Sequence, residues 1–274
     1  MKTLLKNLFI VAIAITFASC DETVTPTILD PRDAQELQAD AIENAKAHDA
    51  SGGTMNAIST YGISEDLTKN FSKSEPQITY DSTTFTVTLT YPNNGGEIII
   101  DWNARPRWNT QNLSGEATIN QFVYNQTTVN GNLNLTSVGT NSIPALHVQG
   151  TLTLTLGGQE KSFDVNQTYT WEEGAETPWL NDDVFSVFGT TKLTGETKTL
   201  QTTIEENKKI IKERNCDFPK QGVMGITVER TNRAITIDYG YDADGNISNA
   251  CDSYVRLTLK VENATASTIV NLNN

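Results

Sequence analysis

The feature that most constrains the fold is an alternation of apolar and polar residues that recurs from Ile78 to the end of the chain. Apolar residues take every second position in residues 85–89, 152–156, 235–239 and 255–261. Successive side chains of a β-strand point to opposite faces, so each run has one apolar and one polar face. The pattern predicts an all-β fold, mainly an antiparallel meander or sandwich-like sheet of about twelve strands.

Short segments rich in Asn and Gly separate these runs, as expected of hairpin turns. They occupy residues 93–96, 130–131, 157–158 and 244–246. A sandwich, a partial barrel and a long curved meander all fit such a pattern, and the sequence leaves the choice between them open.

One short N-terminal helix is predicted ahead of the strands. Asp30 and Pro31 form a typical helix start, and small or apolar residues follow at helical spacing: Ala34, Leu37, Ala41, Ile42 and Ala45. Because Gly52 and Gly53 come next, we expect the helix to span residues 31–48 and to dock its narrow apolar face on the sheet. Residues 30–274 are therefore predicted to form a single β-rich domain.

Two further patterns leave alternatives open. Residues 203–206 resemble a helix capping box and residues 208–214 would continue that helix, but their place between strand-like runs favours an edge strand. Separately, the Ile-rich runs that end in Asp101-Trp102 and Asp238-Tyr239 resemble each other. If this similarity reflects a duplication, the domain consists of two similar halves.

The N-terminus has the order of a secretory signal peptide, with two lysines before an apolar run that is too short to span a bilayer. Ser19-Cys20 then matches the lipobox of bacterial lipoproteins, although Phe17 stands where that motif usually has Leu. We expect residues 1–19 to be a signal peptide, Cys20 to be lipidated, and the polar residues 20–29 to form a tether.

Export would also set the redox environment of the remaining cysteines. With Cys20 lipidated, Cys216 and Cys251 are left, and an even number in an oxidising compartment favours a disulfide. A catalytic Cys or a metal thiolate is the alternative, and each needs a His or another Cys close in space. Neither of the two His residues lies near these cysteines in sequence.

The charge of the chain limits its partners. Its formal net charge is −13. The only charged residues of the signal peptide are two lysines, so its loss would make the protein more negative. An acidic surface repels phosphates, so nucleic acid and anionic headgroups are poor partners. The membrane, reached through the anchor on Cys20, and a glycan or an envelope protein are the partners that we expect.

The best candidate for a ligand site is an acidic segment between two tryptophans. Its members are Trp171, Glu173, Glu176, Trp179, Asp182 and Asp183. Carboxylates beside Trp faces are typical of sugar or Ca²⁺ sites, and two carboxylates across one bond can hydrolyse a glycoside. An acidic protein has many such loops, so a solvated loop is the simpler interpretation.

Other candidate sites have simpler structural interpretations. No nucleophile elbow, phosphate-binding glycine loop or spaced His pair occurs, so the sequence predicts no enzyme, no cofactor and no metal site. Trp102 is expected to cap the core, and His147 to lie on the polar face of a strand. Residues 241–247 favour a turn over a calcium loop because Ile247 stands where that loop requires Gly.

Several segments between residues 78 and 274 resemble β-rich exported lipoproteins of unknown function from Bacteroidetes. The resemblance lies in residues 235–240, 251–253, 181–185, 189–190, 193–195 and 215–217. It implies a cell-envelope location, an all-β body and a pairing of Cys216 with Cys251. The chain differs from these proteins after Trp102, where they commonly have a sequence similar to Cys-Asp-Gly.

We therefore expect an outer-membrane, lipid-anchored protein that is a non-enzymatic structural or binding module and that faces either the periplasm or the cell surface. A carbohydrate-binding or carbohydrate-active protein that uses residues 171–183 is the alternative. A lipid carrier is a further alternative, and it would need a large apolar concavity.

Overall fold

The structure of the protein is a computed structural model that describes residues 29–63, 76–92, 95–107, 110, 112–140, 143–174, 183–214, 216 and 218–272. Residues 1–28 lie outside the described residues, and with them the predicted signal peptide, Cys20 and nearly all of the predicted tether. The described part contains fourteen β-strands and one α-helix.

The helix, α1, spans Pro31–Ala57 and runs directly into a π-helical turn at Ile58–Gly62. The strands are β1 (Gln77–Asp81), β2 (Thr86–Thr90), β3 (Glu97–Trp102), β4 (Ser114–Tyr124), β5 (Thr127–Ser137), β6 (Ala145–Leu156), β7 (Gln159–Glu173), β8 (Val184–Thr194), β9 (Thr199–Ile204), β10 (Ile210–Glu213), β11 (Gly222–Val228), β12 (Arg233–Tyr239), β13 (Tyr254–Val261) and β14 (Ala264–Asn271).

All fourteen strands belong to one antiparallel sheet. Each strand pairs with the next one along the chain, except that β9 pairs with β11 while β10 pairs with the first part of β8. The prediction of a mainly antiparallel all-β fold with one N-terminal helix is confirmed. The sheet is a continuous meander and not a sandwich, and its fourteen strands exceed the twelve expected.

The sheet curls around α1. The helix packs against β4, β5 and β6 and also against β12 and β13. These two groups are separated in the sheet by β7, β8, β9 and β11, so both can reach one helix only if the sheet bends around it. The core consists of the inward-facing apolar residues of the strands together with Leu37, Ala41, Ala47 and Ala50 of the helix.

Acidic residues hold α1 against the basic ends of several strands. Arg233 at the start of β12 binds Asp33 and Glu36, Lys198 before β9 binds Asp40, and Lys161 of β7 binds Glu43. Hydrogen bonding from Arg233 lowers the pKa of Glu36. The pKa of Asp40 is raised because burial outweighs its pairing with Lys198.

The helix does not end at residue 48, as predicted, but continues through Gly52 and Gly53 to Ala57. Local propensity opposes this, since a mid-helix Gly costs about 1 kcal/mol relative to Ala. Tertiary packing outweighs the cost because Thr54, Met55 and the end of the helix are buried under the sheet. The buried face of α1 is therefore longer than its sequence pattern indicates.

The ambiguous stretch at residues 203–214 is not a helix. It contains the end of β9, a 3₁₀ turn at Glu206–Lys208, and β10. The favoured strand interpretation is correct. β10 pairs with β8 on one side and has only an isolated bridge on the other, whereas β9 lies between β8 and β11 and is not at an edge.

The prediction of a turn at residues 130–131 is wrong. Both residues lie inside β5, opposite an irregularity in β4 where the register shifts between Ile119 and Phe122. The turn lies instead at Asn125 and Gln126, both with positive φ. A Gly in a strand can mark a bulge as readily as a turn, which explains the error. At Gly157-Gly158 and residues 244–246 the predicted turns are found.

Candidate functional site

A cavity of about 830 Å³ lies between α1 and the concave face of the sheet. Small-molecule sites in proteins typically enclose roughly 300 to 1,000 Å³. The cavity borders the helix from Ile42 to Asn56, a distance of about 21 Å at the α-helical rise per residue. It is therefore long as well as large.

The space exists because the middle of the helix carries small side chains. Residues 45–54 contain three Ala and two Gly, and Ala45, Gly52 and Gly53 line the cavity. A Cβ added to Gly52 would meet no atom within 4 Å. Gly53 is different, because a Cβ there would lie 2.4–2.6 Å from ring atoms of Tyr124.

Apolar side chains from many strands form the wall opposite the helix. They are Leu146, Leu156, Tyr169, Trp171, Phe185, Val187, Ile204, Ile210, Met224, Tyr239 and Leu272, with Phe218 from a loop. The same strands also contribute Thr127, Thr128, Thr155, Thr170 and Ser186, so the wall combines apolar side chains with hydroxyl groups.

A chain of neutral polar groups lies beside this wall. The Tyr169 hydroxyl donates to Gln167 Oε1 at 3.0 Å and lies 3.4 Å from Ser51 Oγ on the helix. Burial raises the pKa of Tyr169 to about 12. Gln167 is only 1% exposed, and its Nε2 has no acceptor among the described residues. Groups of this kind need a partner, because an unsatisfied buried donor is costly.

His48 also lines the cavity, one helical turn before Ser51. Its Nε2 lies 2.9 Å from Thr191 Oγ1 of β8, and its ring meets Phe163 edge-on with centroids 5.3 Å apart. Burial lowers the pKa of His48 to about 3, so the ring is neutral at pH 7. His48 thus adds an uncharged hydrogen-bonding group to the lining of the cavity.

Charged residues also line the cavity: Lys46, Asp49, Lys212, Glu213 and Arg214. Asp49 of the helix binds Lys212 of β10 at 3.3 Å and accepts a 2.8 Å hydrogen bond from Asn125. Arg214 binds Thr60 at 2.7 Å and Asp183 at 3.4 Å. These pairs link the helix to two distant parts of the sheet.

The predicted acidic and Trp-bounded site is only partly within the described residues. Glu176, Trp179 and Asp182 lie outside them. Of the others, Trp171 lines the cavity, Glu173 is exposed, and the Asp183 side chain is fully buried beside Arg214. The described members therefore point into different environments and do not meet across a cleft.

Cys216 and Cys251 form a disulfide, with their Cα atoms 5.3 Å apart. Cys216 is buried and lines the cavity, so the disulfide fixes part of its wall. Glu213 lies next to the pair, and together they are the only group of three potential metal ligands among the described residues. Because the two sulfurs are bonded to each other, they are not thiolate ligands.

The remaining minor candidates have structural roles in the described part of the chain. Trp102 is buried and its indole donates to the carbonyl of Gly62 at 3.1 Å, which caps the core. His147 lies 3.3 Å from Thr168 on the partly exposed outer side of the sheet. Asp242 accepts backbone hydrogen bonds from Asp244 and Asn246, which closes a turn and keeps its pKa low.

No family model, curated protein or solved structure matches this chain. Within the described residues, no helix combines the length and apolar composition that crossing a membrane requires.

The cavity, and with it Tyr169 and His48, was not predicted from the sequence. Its size depends on how far the sheet curls, which a strand pattern does not specify. Two signals were nevertheless present. One is the run of small residues at 45–54 in a helix, and the other is Gln167, an inward polar residue that accepts a hydrogen bond from the lining residue Tyr169.

Proposed function

We propose that this protein is a lipid-anchored component of the cell envelope that binds an elongated, largely apolar small molecule in its cavity, without catalysing a reaction. The cavity between α1 and the curled sheet is the observation that carries this proposal. It is a large concavity with apolar side chains from many strands, which is what a lipid-binding function requires.

The shape of the cavity favours an extended chain over a compact ring. Its length along α1 is about 21 Å, similar to that of a long acyl chain, and apolar side chains make up about half of its lining residues. Gly52 provides open space beside the helix, so a chain can lie against the backbone there. The membrane to which Cys20 would attach the protein is a source of such molecules.

The acidic segment gives less support to a carbohydrate-active function. Glycoside hydrolysis needs two carboxyl groups facing each other across the scissile bond. Asp183 is buried and paired with Arg214, whereas Glu173 is exposed to solvent. Trp171 contributes to the cavity wall, where it contacts Phe185 with ring centroids 5.5 Å apart.

A test of the cavity uses N-phenylnaphthylamine, an uncharged apolar probe whose fluorescence rises on binding. Gly52→Leu places a side chain in the open space beside the helix and should weaken probe binding at least about tenfold without unfolding the protein. The matched control is Ala39→Leu, on an exposed helix position that does not line the cavity. Equal binding by both variants and the unchanged protein would refute the proposal.

The anchor is tested separately in cells. Cys20→Ser should abolish incorporation of labelled palmitate and release the protein from the membrane fraction. Labelling that persists in this variant would show that Cys20 is not the acylated residue.

A further inference from the structure

We infer that the cavity binds single-chain amphiphiles with a negatively charged head group, of which a long-chain carboxylate is the simplest, and that the ammonium group of Lys46 binds this head group at the mouth of the cavity. The inference rests on the proposed function, because it names the class of molecule that the cavity binds. It follows from the charges that line the cavity, from the position of Lys46 and from its exposure.

The first argument is the charge balance of the cavity lining. Four of its five charged residues belong to ion pairs: Asp49 with Lys212, Glu213 with Lys220, and Arg214 with Asp183. Lys46 is the fifth, and it has no ion pair with any described residue. Each pair is neutral, so the lining has one unbalanced positive charge in a chain whose net charge is −13. A ligand with one negative charge complements this lining.

The helix itself does not supply the missing carboxylate. Its acidic residues bind cations of the sheet: Asp33 and Glu36 bind Arg233, Asp40 binds Lys198, Glu43 binds Lys161 and Asp49 binds Lys212. Glu43 and Asp49 precede and follow Lys46 by three residues, so they are its neighbours on the helix surface. Because sheet lysines already neutralise both, the ammonium group of Lys46 is available to a ligand.

The second argument is position. Lys46 lies between Glu43, which binds β7 near its start, and Asp49, which accepts a hydrogen bond from the β4–β5 turn. The β4–β5 and β6–β7 turns lie at the same end of the strands, because the sheet is an antiparallel meander. Both turns line the cavity, through Asn125, Gln126, Gly157 and Gly158. A Cβ added to either Gly would meet no atom within 4 Å, so we place the mouth of the cavity here.

The third argument is exposure. Lys46 is exposed, so a carboxylate bound to it keeps part of its hydration and avoids the large cost of burying a charge. The hydrocarbon chain of the ligand can then lie against the apolar side chains of the wall while the head group stays at the mouth. An ammonium head group would instead be repelled by Lys46, and an alcohol would form no ion pair with it.

The experiment displaces N-phenylnaphthylamine with ligands that share one chain length and differ in the charge of the head group: hexadecanoate, hexadecanol and hexadecylamine. The unchanged protein should bind hexadecanoate about tenfold more tightly than hexadecylamine, against the field of its net negative charge. Lys46→Met removes the charge and keeps most of the side-chain length. It should weaken hexadecanoate binding about threefold and leave hexadecanol binding unchanged. Lys46→Glu should make hexadecylamine the tighter of the two ionised ligands.

Two controls separate a ligand contact from a general effect of charge or folding. Lys260→Met makes the same change in net charge at an exposed position of β13 that does not line the cavity, and it should change none of the three affinities. Lys46→Met should keep the Tm of the ligand-free protein, because its side chain is exposed and forms no ion pair with a described residue. It should also bind N-phenylnaphthylamine as the unchanged protein does, since this probe has no charge.

The failure of this inference is distinguishable from the failure of the proposed function. If hexadecylamine binds as tightly as hexadecanoate, or if Lys46→Met and Lys260→Met bind hexadecanoate equally tightly, the inference is wrong while the cavity still binds apolar molecules. If N-phenylnaphthylamine itself does not bind, both the proposed function and the inference are wrong.

Discussion

Gly52 and Gly53 are adjacent in α1, yet replacing each with Ala should have opposite effects on stability. Ala favours the helix over Gly by about 1 kcal/mol at both positions, through backbone entropy. At Gly52 the new methyl group meets no atom within 4 Å, so Gly52→Ala should stabilise the protein by about 1 kcal/mol.

At Gly53 the methyl group collides with a ring. Its position lies 2.4–2.6 Å from Cγ, Cδ1 and Cδ2 of Tyr124, well inside van der Waals contact. These atoms are close to the backbone, so the whole Tyr124 side chain must move, and its ring neighbour Phe122 restricts that movement. Overpacking of this kind costs about 1 to 3 kcal/mol, which offsets or exceeds the helix gain.

Both variants gain the same helix propensity from the exchange of Gly for Ala, so the difference in stability between them measures the steric cost at Gly53. Urea unfolding followed by far-ultraviolet circular dichroism should place Gly53→Ala about 1 to 3 kcal/mol below Gly52→Ala, with similar m-values. Adding Tyr124→Leu to Gly53→Ala should recover most of that difference, since the ring is then absent. A Gly53→Ala variant as stable as Gly52→Ala would refute the close helix–sheet approach.

Two other predictions concern pH and the disulfide. Burial lowers the pKa of His48 from 6.5 to about 3, so the unfolded chain binds a proton that the folded protein does not. This effect leaves the free energy of unfolding unchanged above pH 6.5. As the pH falls below that value the free energy of unfolding decreases, by roughly 2 kcal/mol at pH 5. His48→Gln keeps a partner for Thr191 and should remove this part of the loss between pH 7 and pH 5 in urea titrations. An unchanged pH dependence would mean that His48 titrates normally. Replacing both Cys216 and Cys251 with Ser opens a loop with a sequence separation of 35 and should cost about 3 to 4 kcal/mol of unfolding free energy. Reduced, unsubstituted protein should match this variant, and equal stability of the variant and the oxidised protein would contradict the expectation.

The strand content was predictable because alternation is a local property. Residues 152–156 and 255–261 show it without interruption, and both lie in the strands expected of them. The end of the helix was not predictable in this way. Gly52 and Gly53 are local stop signals, but the sheet that covers this part of α1 comes from residues far along the chain.

Polar residues on the buried face of α1 are a second difference between pattern and structure. Asn44, His48 and Ser51 follow Leu37 and Ala41 at helical spacing and therefore share the face that packs on the sheet. Each of the three reaches a residue of the sheet: Thr202, Thr191 and Tyr169. The partners come from strands far along the chain, so helical spacing alone does not identify them.

The inward residues of β7 show how a buried polar position can be recognised from sequence alone. The apolar register contains Phe163, Val165 and Tyr169, and Gln167 takes the position between the last two. A polar residue in an apolar register is buried once the strand forms, so it must find a partner in the protein or in a ligand. Tyr169 satisfies only the oxygen of this amide. Its nitrogen is buried with no acceptor among the described residues, so a single break in the alternation that otherwise defines the fold leaves an unsatisfied donor inside the core.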